Sequence, residues 1–279
     1  MSIRDILVQV DDSPASAPRL RAAADLARRF QAHLTGAFLA SNVPPEFMMA
    51  DESYLTFTPA LIADLMKTHA DTLERRGESA RQCFEAAAGE VGAPSEWRVL
   101  SGDARSQLTA AARRADLLVF PRSAVPCLGR ERIEATQLAL ASGGPVLITP
   151  EGDFPPAVGK RILVAWDGGR EASRALRDAW PLIVDAEELH ILIVSPREQG
   201  GPDAGLQRLL EHHGRTANLI IDPSHDGSAG EGLERQVAAQ RADLVVMGLF
   251  GRSRLQELVL GGVSRHMLDR LPVPLFVSH

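Results

Sequence analysis

Asp243-Leu-Val-Val-Met-Gly248-Leu-Phe-Gly251-Arg-Ser-Arg-Leu-Gln-Glu-Leu-Val-Leu-Gly261-Gly-Val-Ser264 is the stretch on which the reading of this chain turns. Leu244–Met247 is a continuous apolar run of the length of one buried strand. Gly248 ends it, Gly251 follows after two intervening residues, and Gly261-Gly262 follows after nine more. Val263-Ser264-Arg265-His266-Met267-Leu268 then takes up helical spacing. A strand, two glycine turns and a helix start together aim backbone N–H groups at an anion. Glycine reaches positive φ without steric cost and lets a phosphate approach the main chain. The helix start adds unpaired donors and a partial positive charge.

With its flanks, Ala-Asp-Leu-Val-Val-Met-Gly before it and Val-Ser-Arg-x-Met-Leu and Pro-Val-Pro-Leu-Phe-Val after it, the Gly-x2-Gly-x9-Gly pattern resembles the phosphate loop of the universal stress protein family. One position departs from that pattern. ATP-binding members usually carry Ser or Thr after the third glycine, and here it is Gly262, so one hydroxyl that would bond a phosphate or order a metal is missing. Leu249-Phe250 are also bulkier than expected between the first two glycines.

Working outward, one unit is written twice. Ile6-Leu-Val-Gln-Val-Asp11-Asp12-Ser13 returns as Ile162-Leu-Val-Ala-Trp-Asp167-Gly168-Gly169, an apolar strand ending in an acid. Amphipathic helices follow, around Ala15–Phe30 and Glu171–Ile183, with Leu20 and Leu176 in register. Ala115-Asp-Leu-Leu-Val echoes Ala242-Asp-Leu-Val-Val, and Gly144-Pro-Val-Leu-Ile echoes Val273-Pro-Leu-Phe-Val. The strands fall near 4–10, 33–40, 96–100, 116–120 and 145–149, then near 161–166, 188–194, 217–221, 243–247 and 273–278. Buried strands alternating with helices predict α/β architecture: two tandem doubly wound domains, each a five-stranded parallel sheet covered on both faces. The resemblance implies strand order 3-2-1-4-5, with the fifth-strand edges of the two halves paired about a pseudo-two-fold axis. The expected domains are 1-150 and 158-279, joined by the Gly- and Pro-rich linker Glu151–Gly159. The first half carries an insertion from Ser41 to Ala93. It is irregular through Tyr54 and helical over about Pro59–Val91, with Leu61, Leu65, Leu73 and Phe84 as candidate core contacts. Met48, Met49, Tyr54 and Phe57 would form a lid, a partner surface or a locally packed loop.

In open parallel sheets, ligands sit beyond the carboxyl ends of the strands where the strand order reverses. That crevice lies between strands 1 and 4, so Asp167-Gly168-Gly169 and Gly248 meet there. By resemblance, Asp167 faces the ribose, and Val194, at the end of strand 2, contacts adenine through its backbone. Gly248, Gly251, Gly261, Gly262, Val263 and Ser264 surround the phosphates, with Gly168 beside them. Arg252 and Arg254 would reach the loop or lie in solvent. The first half fails the same test: Pro121 and Ala124 stand for Gly248 and Gly251, and Arg132-Ile133 for Gly261-Gly262. Proline offers a phosphate no N–H. Asp11 survives there as a turn acid.

The formal net charge of −6 lacks the basic footprint of a nucleic-acid binder. No apolar run is long enough to cross a membrane, and the acidic start is unlike a signal peptide, so a cytoplasmic location is expected. Cys83 and Cys127 exclude a disulfide scaffold and a cysteine-rich zinc site; Cys83 is expected to be buried in its helix. His212-His213, His225, His266 and His279 lack ligand spacing, and no metal site is expected. Ser228 or Asp226 would cap the helix starting near Glu231. Ser142-Gly143-Gly144 precedes strand 5 and is set aside as a phosphate loop.

The resemblance implies a cytoplasmic stress-response protein that binds ATP or a related adenine nucleotide, with or without Mg²⁺, in its second half, with slow hydrolysis at most. A phosphoryl- or adenylyl-transfer enzyme would need a clamp and metal-holding carboxylates. The glycine loop has no lysine, and Asp167 is the one convincing acid. The remaining alternative is a dimerising interaction module that holds no nucleotide. The protein partner and the homodimer state are left open.

Overall fold

The computed structural model describes residues 2–41, 44, 58–126, 132–155, 157–194, 204–222, 229–249, 270 and 272–279. The first half runs β1 (Asp5–Val10), α1 (Ser16–Phe30), β2 (His33–Ala40), α2 (Pro59–Val91), β3 (Ser95–Ser101), α3 (Ala104–Ala112) and β4 (Leu117–Pro121). The two-residue strands β5 (Val125–Pro126) and β6 (Arg132–Ile133), then α4 (Ala135–Ser142) and β7 (Val146–Thr149), complete it. The second half runs β8 (Arg161–Trp166), α5 (Arg170–Asp178), α6 (Trp180–Asp185), β9 (Glu188–Val194) and α7 (Ala204–His212). It continues with β10 (Asn218–Asp222), α8 (Ala229–Ala239), β11 (Leu244–Gly248) and β12 (Leu275–Ser278).

All but β5 and β6 join one ten-stranded sheet, ordered β10-β9-β8-β11-β12-β7-β4-β1-β2-β3. Within each half the strand order is 3-2-1-4-5 and every pairing is parallel. The halves meet at the only antiparallel pairing of that sheet among the described residues, β7 with β12, in register Leu275↔Ile148, Phe276↔Leu147 and Val277↔Val146. An antiparallel pair carries a local two-fold, so the fifth strands, both fully buried, cover each other's edges and remove a pairing hazard. Alternate residues of each strand feed two cores. Ile6, Val8, Val164, Val246 and Phe276 pack on one face, and Leu7, Leu118, Leu163, Val245 and Val277 on the other.

The repeated Ala-Asp-Leu motif has a structural use. Asp116 accepts the N–H groups of Arg4 (2.7 Å) and Asp5 (3.0 Å) at the start of β1. Asp243 accepts those of Gly159 (2.7 Å), Lys160 (2.9 Å) and Arg161 (3.0 Å) at the start of β8. Burial pushes the Asp243 carboxyl above its ordinary range, and the three N–H donors only partly offset it. The expected linker is therefore anchored. Phe154 and Val158 are buried, Asp153 pairs with Arg21 at 2.7 Å, and the Val158 carbonyl accepts from Arg29 at 2.5 Å.

The insertion holds α2, 33 residues long. Thr58 caps it by accepting the Leu61 N–H, Pro59 opens it, and Gly92 closes it at φ 64°. At 1.5 Å per residue α2 spans about 50 Å, whereas eight-residue β2 spans about 26 Å. Its first turns therefore extend past the sheet. Two expectations are corrected here, Leu61 by the length of the helix and Cys83 by the face it occupies. Leu61 is 41% exposed with Ile62 and Met66 beside it, while Leu73 and Phe84 do reach the core. Cys83 is exposed, on the outer side of the helix from Phe84. Gly36 of β2 has no room for a side chain, since a Cβ there would lie 2.7 Å from the Phe84 ring. Phe84→Ala is expected to destabilise the protein by about 3–4 kcal/mol, read as a lower urea midpoint at unchanged slope.

Candidate functional site

The strand order places the ends of β8 and β11 side by side. Asp167-Gly168-Gly169 forms the turn between β8 and α5. Asp167 accepts the Gly169 N–H at 2.7 Å, and Gly168 sits at φ 71° with open space where a Cβ would be. Asp167 is exposed at the mouth of the crevice. Gly248 closes β11 against the first turn of α5. A Cβ there would stand 2.5 Å from the Ala172 amide nitrogen and 2.7 Å from the Glu171 Cβ. Its missing side chain is thus required by helix packing, whatever its neighbours bind. Beneath it, Met247 and Leu249 are buried, and the Leu249 carbonyl lies 3.2 Å from His279 Nδ1. Val194 ends β9, paired across to Asp222 of β10. Gly251, Arg252, Arg254, Gly261, Gly262, Val263 and Ser264 lie outside the described residues, as do Met48, Met49, Tyr54, Phe57, Cys127, His225, Asp226, Ser228 and His266.

The first half fills the matching place from within. Arg19, 1% exposed, reaches from α1 to the end of β1. Its Nε donates to the Gln9 carbonyl at 2.8 Å, and its terminal nitrogen to Asp11 at 3.0 Å and Ser16 Oγ at 3.3 Å. Asp11 also accepts from the Ser13 N–H at 2.8 Å and from Gln9 Nε2 at 3.2 Å. Burial alone would raise the Asp11 carboxyl, but the Ser13 hydrogen bond and the Arg19 charge outweigh it and hold it below the usual range. Asp12 is clamped by Arg76 of α2, whose Nε contacts both carboxylate oxygens at 2.9 and 3.0 Å and whose terminal nitrogen donates at 2.7 Å. Asp11 is therefore more than a turn acid, since it is the counterion of a buried guanidinium. Beyond Pro121, β5 and β6 pair as a small hairpin, with Arg132 donating to the Ala124 carbonyl at 2.6 Å and Ile133 buried. The backbone at the positions of Gly261-Gly262 is thus committed to strand pairing.

Sequence reasoning missed Arg19, and a signal for it existed. It falls at helical spacing with Ser16, Ala23 and Leu26 on the buried face, where the second copy has Ala175 beside Leu176. The pairing of buried Asp222 with Arg235 at 3.3 Å was also missed. Gly143 is a helix cap at φ 73° that ends α4, and its carbonyl accepts from Arg174 of the second half at 2.8 Å. His212 and His213 are exposed, with the His213 ring 4.8 Å from Trp180. Among the described residues no three His, Cys, Asp or Glu side chains could hold a metal ion, and no helix is long and apolar enough to cross a membrane.

Fold and crevice define a tandem α/β protein of two doubly wound halves fused through their fifth strands. A model of the universal stress protein family matches residues 2–124 and 159–279, and the chain belongs to that family. It is similar in fold to a universal stress protein from Archaeoglobus fulgidus DSM 4304, at 20% identity and TM-score 0.71, covering 98% of this chain and 97% of the other. A second solved structure, described as a putative universal stress protein from Pseudomonas aeruginosa UCBPP-PA14, aligns at 18% identity and TM-score 0.61, covering 99% and 93%. A protein of unknown function from Pseudomonas aeruginosa PAO1 aligns at 19% identity and TM-score 0.57, covering 99% and 92%. No curated protein matches the chain.

Proposed function

We propose that this chain is a cytoplasmic regulatory protein that binds one adenine nucleotide, ATP or a close relative, in its second half. The observation that carries the reading is the contrast between two crevices at the same place in the fold. In the second half Asp167 and Gly168 are exposed, Gly168 has positive φ and open space above it, and a glycine-spaced loop follows β11 in the sequence. In the first half Arg19 occupies Asp11, Arg76 occupies Asp12, and a hairpin replaces the loop.

On this reading the Asp167 carboxylate accepts hydrogen bonds from the ribose, and the Val194 backbone meets the adenine. The N–H groups of Gly251, Gly261, Gly262, Val263 and Ser264 hold the phosphates, with Arg252 beside them. The open turn at Gly168 fits this role, because a nucleotide must approach the main chain there. Mg²⁺, when bound with the nucleotide, would supply charge neutralisation between phosphate oxygens. The domains of the proposal are 1-150, which holds no nucleotide, and 158-279, which does.

Isothermal titration with ATP is expected to give a stoichiometry near one per chain. On this proposal Gly261→Val is expected to strain the phosphate cradle by about 1–3 kcal/mol and so to weaken binding about tenfold or more, whereas Arg132→Ala should leave it unaltered. Gly262→Ser should tighten it by up to ~1 kcal/mol through one added hydrogen bond. A stoichiometry near two, or undiminished binding by Gly261→Val, would end the one-site reading. Absence of any nucleotide binding would favour the interaction module.

A further inference from the structure

A cavity of about 220 Å³ opens at the other end of the first half's sheet, away from the crevice, between β1, β2, β3 and the end of α3. Its floor is Leu7 with Ala111 and Ala115, and its polar lining is Thr35, Asp5, Arg98 and Arg114. It would hold about seven waters at ~30 Å³ each, which is small for a nucleotide and suited to a molecule of a few heavy atoms.

Strand register shows what opens it. Leu7 lies beside Thr35, which lies beside Glu96, and the next row pairs Ala37 with Arg98. In the second half the same rows read Leu163, His190 and Asn218, then Leu192 and Ile220. His190 is 6% exposed, its ring nitrogens 3.3 Å from Glu188 and 3.4 Å from Asn218. The second half thus fills with an imidazole the place that Thr35 leaves open in the first. It also carries Ile220 where the first half carries a guanidinium. Arg98 is held by Glu96 through two contacts, at 2.9 and 3.0 Å. Among the described residues Arg114 has no ion pair. Two guanidiniums and a hydroxyl around an apolar floor match a small oxyanion, because guanidinium forks hold carboxylate and phosphate oxygens through charge-assisted bonds. Asp5 on the rim would accept from a hydroxyl or amine of the same molecule.

We infer that the first half binds a small organic oxyanion, a carboxylate or a phosphate ester, between Arg98 and Arg114 over Thr35. This site is separate from the nucleotide crevice and does not depend on it. Because Glu96 already holds Arg98, an incoming anion competes for that guanidinium and binds weakly.

The test is titration of the isotope-labelled full chain with inorganic phosphate and, separately, with succinate, at constant ionic strength set by sodium chloride. Amide resonances of Leu7, Thr35, Ala111 and Ala115 should shift and saturate with at least one of the two. Saturation by phosphate alone assigns the phosphate-ester class, and by succinate alone the carboxylate class. Arg114→Gln, a surface change that should leave the fold intact, is expected to weaken binding about tenfold. Thr35→His, which carries the second half's residue into the first, should abolish it. No saturable shift at these amides with either anion, or an Arg114→Gln protein that binds as the parent does, would overturn the inference.

Discussion

Arg19→Met is expected to destabilise the protein by about 3 kcal/mol. The guanidinium is 2% exposed and its partner Asp11 23% exposed at the side chain. Removing the cation leaves a partly buried carboxylate without its counterion and takes one donor each from the Gln9 carbonyl and Ser16 Oγ, although Asp11 keeps the Ser13 N–H and Gln9 Nε2. Breaking a buried ion pair from one side costs about 3–5 kcal/mol. The lower end applies because water can reach Asp11. Adding Asp11→Asn to Arg19→Met should recover part of the loss, since it removes the stranded charge. A double variant less stable than the single one would contradict this account.

The same pair sets a pH dependence. The Asp11 carboxyl is held below its ordinary value in the folded protein. Its stabilisation is therefore complete above the unfolded value of about 4, and is lost as pH falls through the lower folded value. The difference in melting temperature between the parent and Asp11→Asn should be constant from neutral pH to about pH 4 and shrink below it. Asp243 works in the opposite sense. Its raised folded value means that its charged form costs stability above that value, a cost relieved on acidification.

Gly248→Ala carries the second large effect, about 3 kcal/mol, read in the melting temperature as a fall of roughly 6–10 °C. The added methyl would stand 2.5 Å from the Ala172 amide nitrogen and 2.7 Å from the Glu171 Cβ. The obstacle is helix backbone, which cannot rotate away as a flexible side chain can, so β11 and α5 must part. The separation also moves Asp167–Gly169, which leads into α5. If the proposed crevice holds a nucleotide, its affinity should therefore fall together with stability. Gly168→Ala makes the comparison. Nothing lies within 4 Å of its added methyl, so its cost should be limited to the strain of positive φ, about 1 kcal/mol. Equal losses from the two variants would show that backbone conformation and not crowding decides at Gly248.

Strands and insertion helix were legible because their signals are strong and local. Continuous apolar runs bounded by Gly, Pro or Asp mark buried strands. Pro59 and Gly92 punctuate α2 at its two ends. The repeat made the second half a check on the first. What was illegible depended on distance through space. Arg19 reads as a helix-surface arginine until β1 is known to end beside it. Asp12 finds its partner Arg76 across the insertion, 64 residues on. Leu61 looked like core because the spacing of Leu61, Leu65 and Leu73 continues into Phe84. The spacing cannot say that the helix outruns the sheet. At the candidate site, the acid and the turn were legible as Asp167–Gly169. The reason for Gly248 was not, since only the approach of α5 makes its side chain intolerable.

The join between β7 and β12 also fixes an order of events during synthesis. β7 is made midway along the chain, whereas its partner comes after every other strand. At 5–20 residues per second, the apolar edge Val146–Thr149 stays open for roughly ten seconds after it emerges. Throughout that interval a neighbouring nascent chain presents the same edge, and its own Leu275–Ser278 will later fit either copy equally well. Which copy it reaches is a matter of local concentration, and tethering through the anchored linker favours its own. Crowded ribosomes translating one message would erode that advantage, so exchanged dimers should be sought among the products of rapid overexpression.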